Sequence, residues 1–385
     1  MANAETNKLS ITGKITLTSV VLQAIVVTVL ECLVIYYHVT CVSLFKLNEQ
    51  GQGISEADLI YHAIFILALF FQIVLAVDSI MNNNTIQLIS LVIFNLLSLV
   101  YAGIQLYQHR ILEDIGLNNA EFKFSDVDDY PTAAYAIEYF RSKMRPLEYV
   151  IIGIVAGFSV YLALVSFKLS IEFGWKNYRT YSADLRIRKA YILLSILQTL
   201  IKVDVFFVGA YAIQLIPSQK IGYSSSIAET VLIFVCGTLL LLMAWFSVSH
   251  ELKFVLIIVI NCLVFSLIYF VWKLIKVNMK PKEGVDPYVF TRKFLTFFLS
   301  VTTLLIITTI IYASLCFRNM IRNIYVFTLF GAAGMEGGEE EEDISNDRRQ
   351  SALVRIFESK KDSANRQSMI NTHIRDRRES RLSLD

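Results

Sequence analysis

Eight long apolar segments dominate this sequence and leave few folds open to it. The hydrocarbon core of a bilayer is about 30 Å thick, so a helix rising about 1.5 Å per residue crosses it with about twenty apolar residues. The segments have that length, and they lie at residues 15–37, 59–80, 86–107, 148–172, 190–216, 229–249, 254–276 and 294–316. We therefore predict an all-α fold, a polytopic transmembrane helical bundle of about eight helices, with seven as the alternative count.

The composition agrees with this prediction and excludes one class of partner. Of the 385 residues, 55% are hydrophobic and 18% are charged, which is too apolar for a soluble domain of this length. The net charge is only +2, and the Lys and Arg residues are spread over loops and the carboxy-terminal end. We expect the lipid bilayer as the main partner and no nucleic acid, because nucleic-acid binding needs a concentrated basic face.

The polar segments divide the chain into three parts. Residues 1–14 form a short amino terminus, residues 15–325 the transmembrane domain, and residues 331–385 a tail rich in Gly, acidic residues, Ser and Arg. Such a tail cannot bury a core, so we predict that it is disordered. The longest internal loop, residues 108–147, is expected to lie on the membrane surface.

Two connections between apolar segments are very short. They are Asn82–Thr85 and His250–Lys253. Because so few residues cannot cross or circle a bundle, we predict that each one joins two antiparallel neighbouring helices.

The tail provides the main indication of orientation. Arg348-Arg349-Gln350-Ser351 and Arg377-Arg378-Glu379-Ser380 have the spacing that basophilic kinases recognise, although short Arg/Ser motifs also arise by chance. We predict phosphorylation at Ser351 and Ser380 by cytosolic kinases, and hence both termini in the cytosol. The Lys and Arg residues next to the spans are almost equally divided between the two sides, so they do not decide the orientation.

Lys202 and Asp204 are ionisable residues near the middle of the fifth apolar segment. A charge at that depth costs several kcal/mol unless it is paired or faces water. Two positions on a helix differ by about 200°, so these side chains cannot neutralise each other and each needs a partner from another helix.

The acidic residues available as partners are Glu31, Asp78 and Glu229, and we predict that Lys202 pairs with Glu31 or Asp78. The intramembrane polar residues form either a functional ion path or a structural ion pair that fixes helix register. The sequence leaves both interpretations open.

Other motifs say little about chemistry. Gly153 and Gly157 form a GxxxG motif, which we expect to mark close packing inside the bundle rather than a dimer face. The five histidines show no metal-ligand spacing, and no HExxH, CxxC, P-loop or GxSxG motif is present. We therefore expect no catalytic residues, no cofactor and no metal.

Four of the five cysteines fall inside apolar segments, and only Cys41 is expected in a loop. A single loop cysteine cannot join two loops, so we predict no disulfide between them. The lack of a disulfide between loops also argues against a seven-helix receptor.

Several short segments give the chain a family resemblance. They are Phe173-Gly174-Trp175, Ile187-Arg188-Lys189, Lys202 with Asp204 and Phe206-Phe207, Tyr61-His62-Ala63-Ile64-Phe65, Tyr101-Ala102-Gly103-Ile104-Gln105 and Met144-Arg145-Pro146-Leu147-Glu148-Tyr149. Through them, roughly residues 15–325 resemble a fungal family of uncharacterised Golgi apparatus membrane proteins. The resemblance implies a multi-pass protein of the Golgi membrane and implies no activity.

Two functions fit these observations. The first is a non-enzymatic trafficking or organising factor, whose phosphorylated tail binds cytosolic proteins. The second is a transporter or ion-coupled carrier that uses Lys202 and Asp204. The sequence favours the first, because it needs no site inside the bundle.

Overall fold

The computed structural model describes residues 10–47, 49–116, 121–122, 133–180, 185–215, 227–279, 288 and 291–322. Most of the predicted amino-terminal segment and the whole predicted tail, with Ser351 and Ser380, lie outside these residues. The described chain contains eight helices that are long and apolar enough to cross a membrane, which confirms the predicted fold class. They are α1 Ile11–Leu44, α2 Glu49–Met81, α3 Thr85–Ile111, α4 Ala133–Thr180, α5 Leu185–Gln214, α6 Ile227–Ser249, α7 Lys253–Asn278 and α8 Arg292–Ile321.

Part of the predicted surface loop 108–147 is helical, so that prediction is wrong there. Helix α3 continues to Ile111 and is followed by a π-helical turn, Leu112–Gly116, while α4 already begins at Ala133. The apolar segment starts only at residue 148, but Phe140 and Met144 are fully buried and extend the inner face of α4 by about two helical turns. In the sequence, this extension is marked by buried apolar residues four positions apart and not by a continuous apolar run.

Both short connections form tight turns between antiparallel helices, as predicted. Asn83 and Glu251 adopt left-handed backbone conformations there, with φ of 47° and 53°. Asn84 caps α3, because its side-chain oxygen accepts hydrogen bonds from the backbone N–H groups of Ile86 and Gln87. Near the start of α2, β1 (Phe45–Lys46) pairs antiparallel with β2 (Glu121–Phe122).

The eight helices form two four-helix bundles with the same connectivity. In the amino-terminal bundle each of α1 to α4 packs against the next, and α1 closes the ring against α4; α5 to α8 form the carboxy-terminal bundle in the same way. The bundles meet where α2 and α3 contact α5, and where α3 contacts α8. Helices α2, α3, α5 and α8 are accordingly central, whereas α6 and α7 are largely peripheral.

The outer surface of the helices is apolar. Phe70, Leu164, Phe167 and Phe265 are each at least 60% exposed, as expected for side chains that face lipid. Many Gln, Asn, Ser, His, Asp and Glu side chains are buried inside instead. This arrangement, together with helix length, places the protein in the bilayer.

Two residue-level expectations are wrong. A Cβ atom added to Gly153 or Gly157 would meet no atom within 4 Å, so this GxxxG motif does not pack inside the bundle. Cys41 lies in α1 and is buried, because the helix extends beyond the apolar segment. All five cysteines are free, which agrees with the predicted lack of disulfides.

Candidate functional site

Lys202 lies in a cleft where the two bundles meet. Its ammonium group contacts the carboxylate of Asp78 on α2, and it lies over the ring of Trp245 on α6, 5.0 Å from the centroid. Of the two partners predicted for Lys202, Glu31 and Asp78, the structure therefore shows Asp78. Both charged side chains are about a quarter exposed, so the pair borders the open space of the cleft.

The cleft has a volume of about 840 Å³, within the usual range for small-molecule sites. Its lining extends from the turn Asn82–Asn84 along α2 to Phe71, a distance of about 15 Å at the helical rise. Its polar lining comes from Asp78, Asn82, Asn84, Gln87, Tyr191, Ser195, Gln198 and Lys202. The cleft therefore offers an ammonium, a carboxylate, amides and hydroxyls on an otherwise apolar wall.

Aromatic side chains close the inner end of the cleft. Phe71 stacks on Phe206 at 5.0 Å between ring centroids, and Phe94 lies 5.0 Å from the same ring. Phe207 continues this packing towards Phe298 on α8, at 5.7 Å. We call these five residues the aromatic block; it joins both bundles and lies next to the inner end of the cleft, where Phe71 forms part of the lining.

Asp204 does not face the cleft. It is fully buried and accepts a hydrogen bond from Thr309 Oγ1 of α8 at 2.5 Å, while its other oxygen has no hydrogen-bond partner. Two other predicted partners also lie elsewhere: Glu31 binds His62, and Glu229 lies 2.6 Å from Lys273 of α7. The structure thus places Lys202 and Asp204 in different environments.

A second polar centre lies at the other end of the amino-terminal bundle. We call it the histidine–carboxylate cluster, and it consists of Glu31 and His38 from α1, Asp58 and His62 from α2, His109 from α3 and Glu148 from α4. Every one of these side chains is at most 5% exposed. Along α2, Asp58 and Asp78 are separated by about 30 Å, the thickness of the hydrocarbon core.

Short contacts connect the members of this cluster. His62 Nδ1 lies 2.6 Å from Glu31 Oε2, and Gln105 donates to the same oxygen at 3.1 Å. His109 Nδ1 lies 3.0 Å from Glu148 Oε1. Just beyond the cluster, Glu113 of the π-helical turn binds Arg141 and Arg145 of α4, at 3.1 and 2.6 Å.

The spacing of the histidines in the sequence does not reveal this cluster, although Glu31 is among the predicted intramembrane polar residues. Its members come from four helices and converge only in the fold. Two signals were present: Asp58 and His62 are four residues apart, hence on one helix face, and polar residues lie at the same end of four consecutive apolar segments. Three of the segments that carry the family resemblance supply His62, Gln105 and Glu148.

A neutral polar network lies between the two ends of the amino-terminal bundle. Asn95 Oδ1 accepts from Gln23 and Gln72 at 3.1 and 3.0 Å, and Asn95 Nδ2 donates to Ser159 Oγ at 2.7 Å. Each of the four helices contributes one residue. The network ties α1, α2, α3 and α4 together at mid-membrane depth.

Taken together, these features define a polytopic α-helical membrane protein with a partly polar cleft towards one end and a buried histidine–carboxylate cluster at the other. The chain is similar to the UPF0658 Golgi apparatus membrane protein of fission yeast, Schizosaccharomyces pombe. The identity is 23% over 302 residues, which cover 76% of this chain and 85% of the relative.

This similarity makes the chain a distant homologue of that Golgi membrane protein and confirms the predicted resemblance. The predicted Golgi location agrees with the relative's name, which states a location and no substrate or reaction. No family model matches the chain, and no solved structure matches it. A fungal origin and phosphorylation of the tail stay predictions.

Proposed function

We propose that this protein is a carrier, not an enzyme, that moves a small polar solute across the Golgi membrane. The observation that carries the proposal is the Lys202–Asp78 pair, which borders a cleft of about 840 Å³ at the junction of two four-helix bundles. Ionisable side chains on membrane-spanning helices usually pair with one another and mark a water-filled path or a substrate site. Carriers built from two similar halves place their site where the halves meet.

The groups in the cleft indicate the class of solute. A zwitterion such as an amino acid would direct its carboxylate to Lys202 and its ammonium to Asp78. When the solute binds, its two charges replace the contact between Lys202 and Asp78. Every charge is then paired both with and without solute, so binding avoids the cost of an isolated charge. Trp245, which already packs on Lys202, supplies an apolar wall for the solute's side chain.

In this proposal, the aromatic block determines the side from which a solute enters the cleft. It closes the inner end, so a solute enters from the side of the turn Asn82–Asn84 and leaves only when the bundles move against each other. The one proline within a described helix, Pro146 of α4, is remote from the cleft in sequence and does not line it. The proposed motion is therefore a rigid-body shift of α2 and α3 against α5 and α8, without broken helices.

The alternative role in trafficking depends on other parts of the chain. It requires the tail and its serines, Ser351 and Ser380, which lie outside the described residues. That role stays a prediction, and it is compatible with a carrier in the membrane. Asp204, assigned to the carrier by sequence alone, is not part of the proposed solute site.

Transport by purified protein in proteoliposomes tests the proposal. With a mixture of radiolabelled amino acids as the probe, wild-type protein should accumulate label above protein-free vesicles, and Lys202→Met should reduce uptake at least about tenfold, because a lost charge-assisted hydrogen bond costs about 1.5–3 kcal/mol. Lys276→Met is the matched control, since Lys276 also lies over a tryptophan, Trp272, at 4.9 Å but outside the cleft.

The control variant should transport like the wild type. Absence of uptake by the wild-type protein, or equal uptake by the Lys202→Met protein, would overturn the proposal. Elution of each variant as a single species in size-exclusion chromatography separates loss of transport from loss of folding.

A further inference from the structure

Asp58 is the centre of the histidine–carboxylate cluster. One of its oxygens, Oδ2, lies 3.1 Å from His38 Nδ1, 3.5 Å from His62 Nε2 and 3.7 Å from His109 Nδ1. Its side chain and the three imidazoles are almost completely buried. One carboxylate oxygen is thus surrounded by three imidazole nitrogens from α1, α2 and α3.

The atoms that face this centre lack well-aligned hydrogen bonds. Both oxygens of Asp58, His38 Nδ1, His62 Nε2 and both ring nitrogens of His109 have none. These groups are close to one another, but no well-formed hydrogen bond joins the imidazoles to the carboxylate. Buried polar atoms without partners are costly, and a cation at their centre would satisfy several at once.

We propose that His38, Asp58 and His109 bind one divalent transition-metal ion of the zinc class. One donor atom from each of the three residues lies within 4.8 Å of the other two. The site lies at the opposite end of α2 from the cleft. The inference therefore goes beyond the carrier function and does not depend on it.

The distances agree with a zinc-like ion. Two ligand atoms on one tetrahedral zinc ion, each about 2.05 Å from it, are about 3.3 Å apart. The separations of Asp58 Oδ2 from His38 Nδ1 and His109 Nδ1, 3.1 and 3.7 Å, lie on either side of this value. His109 Nδ1 also lies 3.0 Å from Glu148 Oε1, so it would exchange this contact for one to the metal ion.

The residues around the cluster orient the donor groups in the way that is usual in metal sites. A ligating histidine typically has its second nitrogen bound to a hydroxyl, carboxylate or carbonyl group. His38 Nε2 lies 2.7 Å from Ser55 Oγ, which leaves Nδ1 for the metal. The Phe140 ring packs against both His38 and His109 and provides the apolar wall that excludes competing water.

A neighbouring histidine, His62, lies close to the fourth position. His62 Nδ1 is held by Glu31, and its Nε2 faces Asp58 Oδ2. Either this nitrogen or a water molecule would complete a tetrahedron. Two or three imidazole donors favour zinc or a similar ion over Mg²⁺ and Ca²⁺, which prefer ligand sets made only of oxygen.

Metal binding to the full-length protein in detergent tests this site. Protein stripped with a chelator is reloaded with Zn²⁺, desalted and measured for metal content, and Co²⁺ is used as a spectroscopic probe of tetrahedral coordination. Wild-type protein should retain one ion per chain. His38→Gln, Asp58→Asn and His109→Gln should each weaken binding by at least about 100-fold, and Ser55→Ala by about 10-fold through the orientation of His38.

His250→Gln is the matched control, because His250 lies at the end of α6, outside the cluster. Its metal content should equal that of the wild type. A wild-type protein that retains no ion, or ligand variants that retain as much as the control, would overturn the metal site. Folding is monitored separately: Zn²⁺ should raise the unfolding temperature of wild type and control but not of Asp58→Asn, which removes a buried carboxylate and should remain folded without metal.

This assay uses no transport measurement, so the two proposals fail independently. A protein that transports amino acids but binds no metal would retain the carrier function and lose this inference. A protein that binds zinc at this site but transports no amino acid would do the reverse.

Discussion

Lys202 and Asp204 show how two charged residues of one helix acquire different roles. Lys202 faces α2 and α6, where it pairs with Asp78 and lies over the ring of Trp245. Asp204 faces Thr309 of α8. The helical rotation between the two residues predicts this separation. The identity of each partner depends on which helices are adjacent, and a single sequence does not contain that information.

Asp204→Asn should leave stability unchanged or raise it. The amide oxygen still accepts the hydrogen bond from Thr309, and a neutral group is less costly than a carboxylate when no cation pairs with it. Asp204→Leu removes the acceptor and should lower the free energy of unfolding by about 1 kcal/mol. Thermal unfolding in detergent compares the two, and equal destabilisation by both would show that the charge of Asp204 itself stabilises the fold.

At the scale of helices, the amino-terminal bundle is held by polar contacts as well as by apolar packing. Asn95 makes hydrogen bonds to residues of the other three helices. Hydrogen bonds between membrane helices contribute about 0.6 kcal/mol on average and up to about 1.7 kcal/mol. A residue that connects all four helices should therefore contribute more than any single pair.

Two serines of α4 provide a matched test of this network. Ser159 accepts from Asn95, whereas Ser166, two turns further along the same helix and equally buried, has no hydrogen bond to its hydroxyl. Ser159→Ala should lower the free energy of unfolding by about 1 kcal/mol, and Ser166→Ala should be neutral or stabilising. Equal effects of the two substitutions on the unfolding midpoint would contradict a stabilising network.

The sequence predicts these helices better than their surroundings. Hydrophobic length alone identifies all eight spans, because backbone groups in lipid must be satisfied within a helix. It fails for the first residues of α4, where charged residues interrupt the apolar ones and only Phe140 and Met144 are fully buried. It also cannot indicate that Gly153 and Gly157 lack a neighbour. Both properties depend on tertiary contacts, as does the convergence of His38, Asp58 and His109.

At the scale of the whole molecule, two four-helix bundles meet along four central helices, with a polar site at each end of the amino-terminal bundle. The cleft is lined by the turn between α2 and α3, and the histidine–carboxylate cluster lies near the start of α2. In the predicted orientation the cleft faces the cytosol and the cluster faces the Golgi lumen. Under the two proposals above, the carrier would exchange solute on one side, and a metal ion would stabilise the other end of the same bundle.

Thiol accessibility from one side of the membrane tests the carrier architecture most directly. In a cysteine-free background, Gln198→Cys introduces a thiol into the cleft, and Ser98→Cys introduces one beyond the aromatic block. In sealed Golgi vesicles with the cytosolic face outward, a membrane-impermeant thiol reagent should modify Gln198→Cys and leave Ser98→Cys unmodified, although both react after denaturation. Modification of Ser98→Cys from outside, or protection of Gln198→Cys from reagent on both sides, would contradict a one-sided cleft closed by the aromatic block.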